Sequence, residues 1–408
     1  MNMRYARSVA LIVIGLLSAA PARGQIPDGT PDPAKVRVRL GPLWLSPTLG
    51  LTNLGVDNNV FNDAPQNNPK KDFTFTVLPK TELWLHVANT WVAGEITEEI
   101  LWYQKYASER SANSKYKVSW RMPLTWLIVG GNAAFTTGRD RPGFEIDARV
   151  GRKESIVSGF AEARIMSKTF LGVRAERRTF SFDETAIFLG ANLNDELSRV
   201  TTETGVSLRY QLTSLTTLSF AAMRSTDHFS ISPLRDSRST ILDATVSFDP
   251  FALIKGTATF GFRKFAPQDP NLPTFQGSTA AVNLEYSMFG TTRFTGRVGR
   301  DIQYSYDINQ PYYLQTGVDF SVAQQLVGPV DVVGRVGVQH LDYRDRAGAA
   351  IAVGDRIDVV HSFGGGLGYH LGKELRLGFN VDSVRRISAV ESRPYEGLKY
   401  GTALTYAF

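Results

Sequence analysis

Five histidines, His86, His228, His340, His361 and His370, are the first place to look for acid–base or metal chemistry, because imidazole changes charge near neutral pH and readily ligates metals. None stands in an HExxH pattern, and no GxSxG run offers a strained nucleophile. Each reads more simply as a lone polar or interfacial side chain, and strand phase groups only His370 firmly with an inward-facing set. The chain has no cysteine. That removes a thiolate nucleophile, a thiolate metal site, a disulfide scaffold and lipid acylation at a processing site. The run Gly364-Gly365-Gly366-Leu367-Gly368 mimics a phosphate loop but lacks the following Lys-Ser/Thr. It sits inside an alternating segment, where glycine lets strands pack or curve closely. Asp57-Asn58-Asn59 lacks the acidic spacing of a calcium loop and reads as a turn. No enzyme, metal site or cofactor is predicted.

What remains is charge at alternate positions. Arg174, Arg178, Arg209, Lys255, Arg263, Arg293, Arg297, Arg335 and Arg376 fall on the polar side of segments that alternate with period two. So do Glu176, Glu203, Asp243, Glu285, Asp301, Asp319, Asp331, Asp358, Glu374 and Asp382. The signs nearly balance, whereas a strongly selective pore collects one sign at its constriction. Two readings stay open: a polar passage with weak charge selectivity, or an interior largely filled by ion-pair ladders. Arginines in a wet pore can also hydrogen-bond hydroxyl-rich or acidic sugars, although ordinary cross-strand pairing accounts for most of these residues.

Strands must position such a set. Adjacent strand side chains point to opposite faces, and four segments show it clearly. Leu375, Leu377, Phe379 and Val381 alternate with Arg376, Gly378, Asn380 and Asp382. Val206, Leu208 and Tyr210 oppose Glu203, Gly205, Ser207 and Arg209. Ala280, Val282, Leu284, Tyr286 and Met288 oppose Thr279, Asn283, Glu285 and Ser287. Tyr312, Leu314, Thr316, Val318, Phe320 and Val322 oppose Gln315, Gly317, Asp319 and Ser321. Many such runs reach about twelve residues, enough to cross a bilayer at a tilt and longer than the usual strand of a soluble sandwich. A hydrophobic content of 43% with slightly negative mean hydropathy suits a barrel that is apolar outside and polar inside.

Short turns recur at Asn89-Thr90, Pro123-Leu124, Ser167-Lys168, Thr213-Ser214, Asp249-Pro250, Gly290-Thr291, Val327-Gly328 and Gly372-Lys373. Longer polar connections alternate with them: 57–72, 107–111, 138–143, 183–197, 229–236, 266–274, 307–310, 345–354 and 389–394. The predicted fold is all-β, a transmembrane antiparallel up-and-down barrel of eighteen strands over residues 40–408, with both termini periplasmic. Residues 143–166 must then be one overlong strand, and dividing the chain differently there makes sixteen the alternative. Trp91, Trp120, Trp126, Phe248, Phe251 and Phe289 beside short turns, and Tyr304, Tyr306, Tyr312 and Tyr313 around one long loop, suggest two interfacial girdles.

The ends carry targeting information. Arg4 and Arg7 precede the apolar run Val9 to Leu17, and small residues follow through Gly24. That pattern is a cleaved Sec-type signal peptide over residues 1–24, with cleavage after Gly24 or, alternatively, Ala22. Residues 25–39 would form a short periplasmic segment. Removing residues 1–24 takes away three arginines and no acid, so the net charge of +6 falls to +3. That offers no case for nucleic-acid binding. At the other end Leu398, Tyr400, Thr402, Leu404, Tyr406 and Phe408 share one face. A final strand ending on a terminal Phe two residues after Tyr406 looks like the signal that the barrel-assembly machinery reads by strand addition.

Sequence features across nearly the whole mature chain resemble the second of the Putative β-barrel porin families, which includes barrel proteins encoded with exopolysaccharide synthesis. They are Gly41-Pro42, Gly55-Val56-Asp57-Asn58-Asn59-Val60-Phe61, Arg209-Tyr210-Gln211-Leu212-Thr213, Phe248-Asp249-Pro250, Phe275-Gln276-Gly277 and Arg300-Asp301-Ile302-Gln303-Tyr304-Ser305-Tyr306. The resemblance implies a bacterial outer-membrane barrel in contact with lipid, passing small solutes or exported polysaccharide. A non-conducting barrel that assists surface polysaccharide is the alternative. It supplies no catalytic or ligand residues.

Overall fold

A computed structural model of the chain describes residues 36–249, 252–348, 356–372 and 374–408. The expected signal peptide, Pro250 and Phe251 of one turn, and Lys373 of another lie outside the described residues. Eighteen long strands run in chain order: β1 Leu43–Asp57, β2 Asp72–Val87, β3 Thr90–Tyr103, β4 Ser111–Pro123, β5 Leu127–Asp140 and β6 Val150–Met166. They continue with β7 Thr169–Phe182, β8 Arg199–Gln211, β9 Thr216–His228, β10 Ser237–Phe248, β11 Ile254–Pro267 and β12 Phe275–Met288. The last are β13 Thr292–Tyr304, β14 Tyr312–Gln325, β15 Val330–Arg344, β16 Ile357–Leu371, β17 Leu375–Ile387 and β18 Tyr395–Ala407. Each pairs antiparallel with its sequence neighbours, and β1 pairs with β18 from Thr48↔Ala407 to Asp57↔Lys399. The sheet is therefore closed. Closure leaves no strand edge to present unpaired N–H and C=O groups to hydrocarbon, which would cost several kcal/mol per group.

The phase of each strand follows from the same requirement. Val206, Leu208 and Tyr210 on β8, Phe220 on β9, Leu242 on β10, and Phe260 and Phe262 on β11 are all exposed. Such a surface would promote aggregation in water but matches lipid. The opposite face is the inner one, as a hydrogen bond from the Tyr304 hydroxyl on β13 to Asp227 on β9 shows (2.9 Å). Those strands stand four places apart in the sheet, so the bond runs through the interior. β1 breaks the alternation once: Leu51 and Leu54 both pair with β18 across a bulge, with Asn53 in the left-handed region (φ 53°). The extra residue re-phases the strand, so Leu49, Leu51, Leu54 and Val56 share the outer face.

Two expectations need correction. Residues 143–166 are not one strand: β6 begins at Val150 and residues 141–149 form a loop, which leaves the count at eighteen. Nor do Tyr304, Tyr306, Tyr312 and Tyr313 form an outer girdle; Tyr306 packs edge-on against the buried Phe188. β13 pairs with β12 only as far as Arg300, and its next four residues pair with β14 alone. Released from β12, this hairpin tip packs Ile302, Tyr312, Tyr313 and Leu314 out of solvent. Trp120, Trp126 and Phe289 near the short turns do stand exposed. Before β1, Val38–Leu40 folds back on Leu43–Leu45 as a short ribbon.

Candidate functional site

The interior differs between its two ends. In the half toward the short turns, charged side chains pair along the wall rather than across it. Arg209 on β8 meets Glu162 on β6 (2.7 Å), Arg376 on β17 meets Asp331 on β15 (2.6 Å), and Arg335 on β15 meets Asp382 on β17 (2.8 Å). Every one of these links strands i and i+2, so something must make room on the strand between. On β16 that is glycine. A Cβ added at Gly368 would lie 2.3 Å from an Arg376 nitrogen and 2.5 Å from an Asp331 oxygen, and one at Gly364 would lie 2.3 Å from Asp382. The glycine run is thus a slot in the wall through which neighbouring strands exchange ion pairs. His370 joins the same group, its Nε2 2.7 Å from Asp331.

The other charged positions predicted from strand phase fall on this face as well. Glu176 on β7 takes Arg174 (2.6 Å) and Arg178 (3.0 Å), and Glu203 stands opposite Glu176 in the β7–β8 register. Lys255 stands opposite Glu285, which lies 3.5 Å from Arg293. Arg297 stands opposite Asp319, and Asp319 accepts from Gln339. Arg263 pairs with Asp301 (2.9 Å) toward the long-loop end. Glu374 departs from the pattern: it precedes β17, and its carboxylate accepts from the outward Tyr406 hydroxyl. Tyr406 packs edge-on against Phe408 at 4.7 Å between ring centroids.

Toward the long loops the interior is crossed. Loop 141–149 leaves β5, and its Glu145 and Ile146 are only 2% and 3% exposed. Arg386 of β17 donates to the Phe144 carbonyl (2.8 Å), lies 3.2 Å from Asp147, and closes on Asp358 of β16, which also holds Arg356 at 2.8 Å. Arg393, in the β17–β18 loop, holds Asp147 at 3.0 Å and bonds the Glu145 carbonyl. Ser305 in the β13–β14 loop donates to Glu145 (2.6 Å), and Arg141 donates to the Val60 carbonyl (2.6 Å). Beside this polar knot, Ile146, Val150, Phe182, Ala186, Phe188, Leu193 and Leu197 form an apolar cluster under Tyr304 and Tyr306. Loops from opposite sides of the mouth are therefore joined by a packed layer.

Accessibility separates the two ends. The Glu285 and Asp382 side chains are 35% and 40% exposed within the barrel, whereas Arg386 and Asp358 are 0% exposed. Burial holds the Glu145 and Asp147 carboxyls above the ordinary carboxylate range, against the opposing pull of Arg386 and Arg393. Of this layer, strand phase found only Asp358. Arg386 was legible, since it is in phase with Arg376 and Asp382, but Glu145 and Asp147 were hidden inside the misread strand at 143–166.

A closed eighteen-stranded barrel with an apolar outer surface and a charged interior is an outer-membrane β-barrel protein. Residues 32–408 match the family Putative beta-barrel porin 2, and the chain belongs to that family. Curated proteins give no sequence match. Among solved structures, CdiB from Acinetobacter baumannii is 11% identical with a TM-score of 0.41, the alignment covering 90% of this chain and 60% of that one. The chain thus spans about three fifths of the length of CdiB. The outer membrane protein opdK from Pseudomonas aeruginosa is 10% identical, with a TM-score of 0.43 and coverage of 89% and 98%. A bacterial polysaccharide outer membrane secretin is 9% identical, with a TM-score of 0.33 and coverage of 89% and 98%.

Proposed function

We propose that the barrel is a non-enzymatic, porin-like channel for small polar solutes or an exported polysaccharide, with the charged inner-face residues lining its path. The observation that carries this is the placement of the short-turn half's ion pairs along the wall, which leaves side chains such as Glu285 and Asp382 open to the interior. In this reading the chain loses residues 1–24 on export, the strand ending at Tyr406 and Phe408 is read by the assembly machinery, and both termini face the periplasm. Purified protein in planar bilayers gives discrete conductance steps with a cation-to-anion permeability ratio near one, and Arg335→Gln shifts that ratio modestly toward cations. Silence over many insertions would defeat the channel.

The packed layer over the long-loop end favours a second reading, a structural barrel that assists surface polysaccharide through its loops. Unchanged polymer export and attachment after gene deletion would argue against it.

A further inference from the structure

The outer face carries a feature that transport does not use. Arg224 on β9, Arg238 on β10 and Lys264 on β11 are all exposed and stand on the side of the apolar Phe220, Leu242, Phe260 and Phe262. Thr240 pairs with both Arg224 and Lys264, and Arg238 lies two residues from Thr240 on the same strand. Opposed and diagonal positions on one sheet face lie about 5–8 Å apart, so three basic side chains leave the sheet around one threonine. Arg177 on β7 extends the group through its register with Thr202, which in turn faces Thr226.

Like charges at such spacing repel, and elsewhere on the barrel exterior the protein relieves the problem itself. Arg385 lies 3.0 Å from Glu396, Arg344 lies 2.6 Å from Asp342, and Arg300 donates to Thr316 and to the Ser278 carbonyl. Arg224, Arg238 and Lys264 have no hydrogen-bond partner and no carboxylate within 4.0 Å among the described residues. The residues in outward phase on β7 to β11 include no Asp or Glu. Asp236, two residues before Arg238, is held by His228 (2.8 Å) and the Phe229 amide (2.7 Å), so the chain sets no carboxylate against the triad.

We infer that this triad is a binding site for the phosphates of an anionic glycolipid in the leaflet at the long-loop end. The position fits that chemistry on three counts. The cations stand at the edge of the apolar band, where headgroup phosphates begin. Arginine's planar donors match phosphate oxygens bidentately. Acyl chains would lie along Phe220, Leu242, Phe260 and Phe262, directly on the short-turn side of the cations. The site also fixes orientation, because only a barrel with its long loops toward the phosphorylated leaflet can fill it.

The test is native mass spectrometry of the detergent-solubilised full barrel titrated with diphosphoryl lipid A, with dephosphorylated lipid A and with inorganic phosphate. The intact protein should retain the diphosphorylated lipid at least tenfold more tightly than the dephosphorylated one. The triple variant R224Q/R238Q/K264Q should lose that preference while keeping its β-sheet circular dichroism, and Arg385→Gln should keep it. Equal retention of the two lipids by the unaltered protein would overturn the inference even if the triple variant failed to fold. So would a triple variant within twofold of the unaltered protein, or full displacement of the lipid by millimolar phosphate, which would mark a free-anion site.

Discussion

The two ends of the barrel interior hold charge in opposite geometries. Near the short turns, Arg376–Asp331 and Arg335–Asp382 lie flat against the wall, and Arg335–Asp382 remains partly open to the interior. Near the long loops, Arg386 is enclosed by Asp358, Asp147 and the carbonyls of loop 141–149. A partly solvated pair contributes little, about 0–1 kcal/mol, whereas removing one member of a fully buried pair strands the other in a poor solvent. The same residue types therefore serve as lining at one end and as fasteners at the other.

The sharpest way to break this contrast is Arg386→Ala. It leaves Asp358 and Asp147 each short of a buried partner, and a loss of about 3–5 kcal/mol is expected for such a cut. Thermal unfolding followed by gel mobility would register it, together with faster proteolysis within 141–149. A loss below about 1 kcal/mol would place the layer in the same class as the wall pairs.

The wall predicts a smaller effect with its own control. Gly368→Val puts carbon where Arg376 and Asp331 now meet and should cost about 1–3 kcal/mol, as overpacking does. Gly365→Ala points outward, its Cβ no nearer than 3.8 Å to the Val333 carbonyl, and should stay within about 0.5 kcal/mol of the unaltered protein. Similar denaturation midpoints for the two variants would remove the slot as an explanation of the glycine run.

The weakest effect is one of pH. Burial raises the native Glu145 and Asp147 values, so these acids hold their protons more tightly folded than unfolded. Their contribution to the layer is complete below the free carboxylate value, about 4, and is lost as pH rises through the raised native values. Hydrogen exchange in 141–149, corrected for intrinsic rates, should therefore quicken as pH rises above the free carboxylate value and through the raised native ones, and Glu145→Gln should flatten the trend. A pH-independent rate in the unaltered protein would contradict it.

Most of the barrel was legible because period-two alternation and turn length are local properties: β8, β12, β14 and β17 each announce their outer face within a dozen residues. β1 was harder, since the bulge at Asn53 shifts the phase midway. Loop 141–149 was not legible as a loop. Its Phe144, Ile146, Ala148 and Val150 alternate with Glu145, Asp147 and Arg149, so it imitates a strand while lying across the mouth.

Alternation and turn spacing determined that this chain forms an antiparallel membrane barrel with charge inside, eighteen strands or sixteen, because hydrocarbon outside and water inside sort side chains by position along one strand. Which charges meet was decided by tertiary structure. Arg386 with Asp147, and Tyr304 with Asp227, join segments distant in sequence and on different strands or loops. Such contacts depend on barrel curvature, on the release of the β13–β14 tip from β12, and on where a loop folds, none of which is written in the period of any single strand.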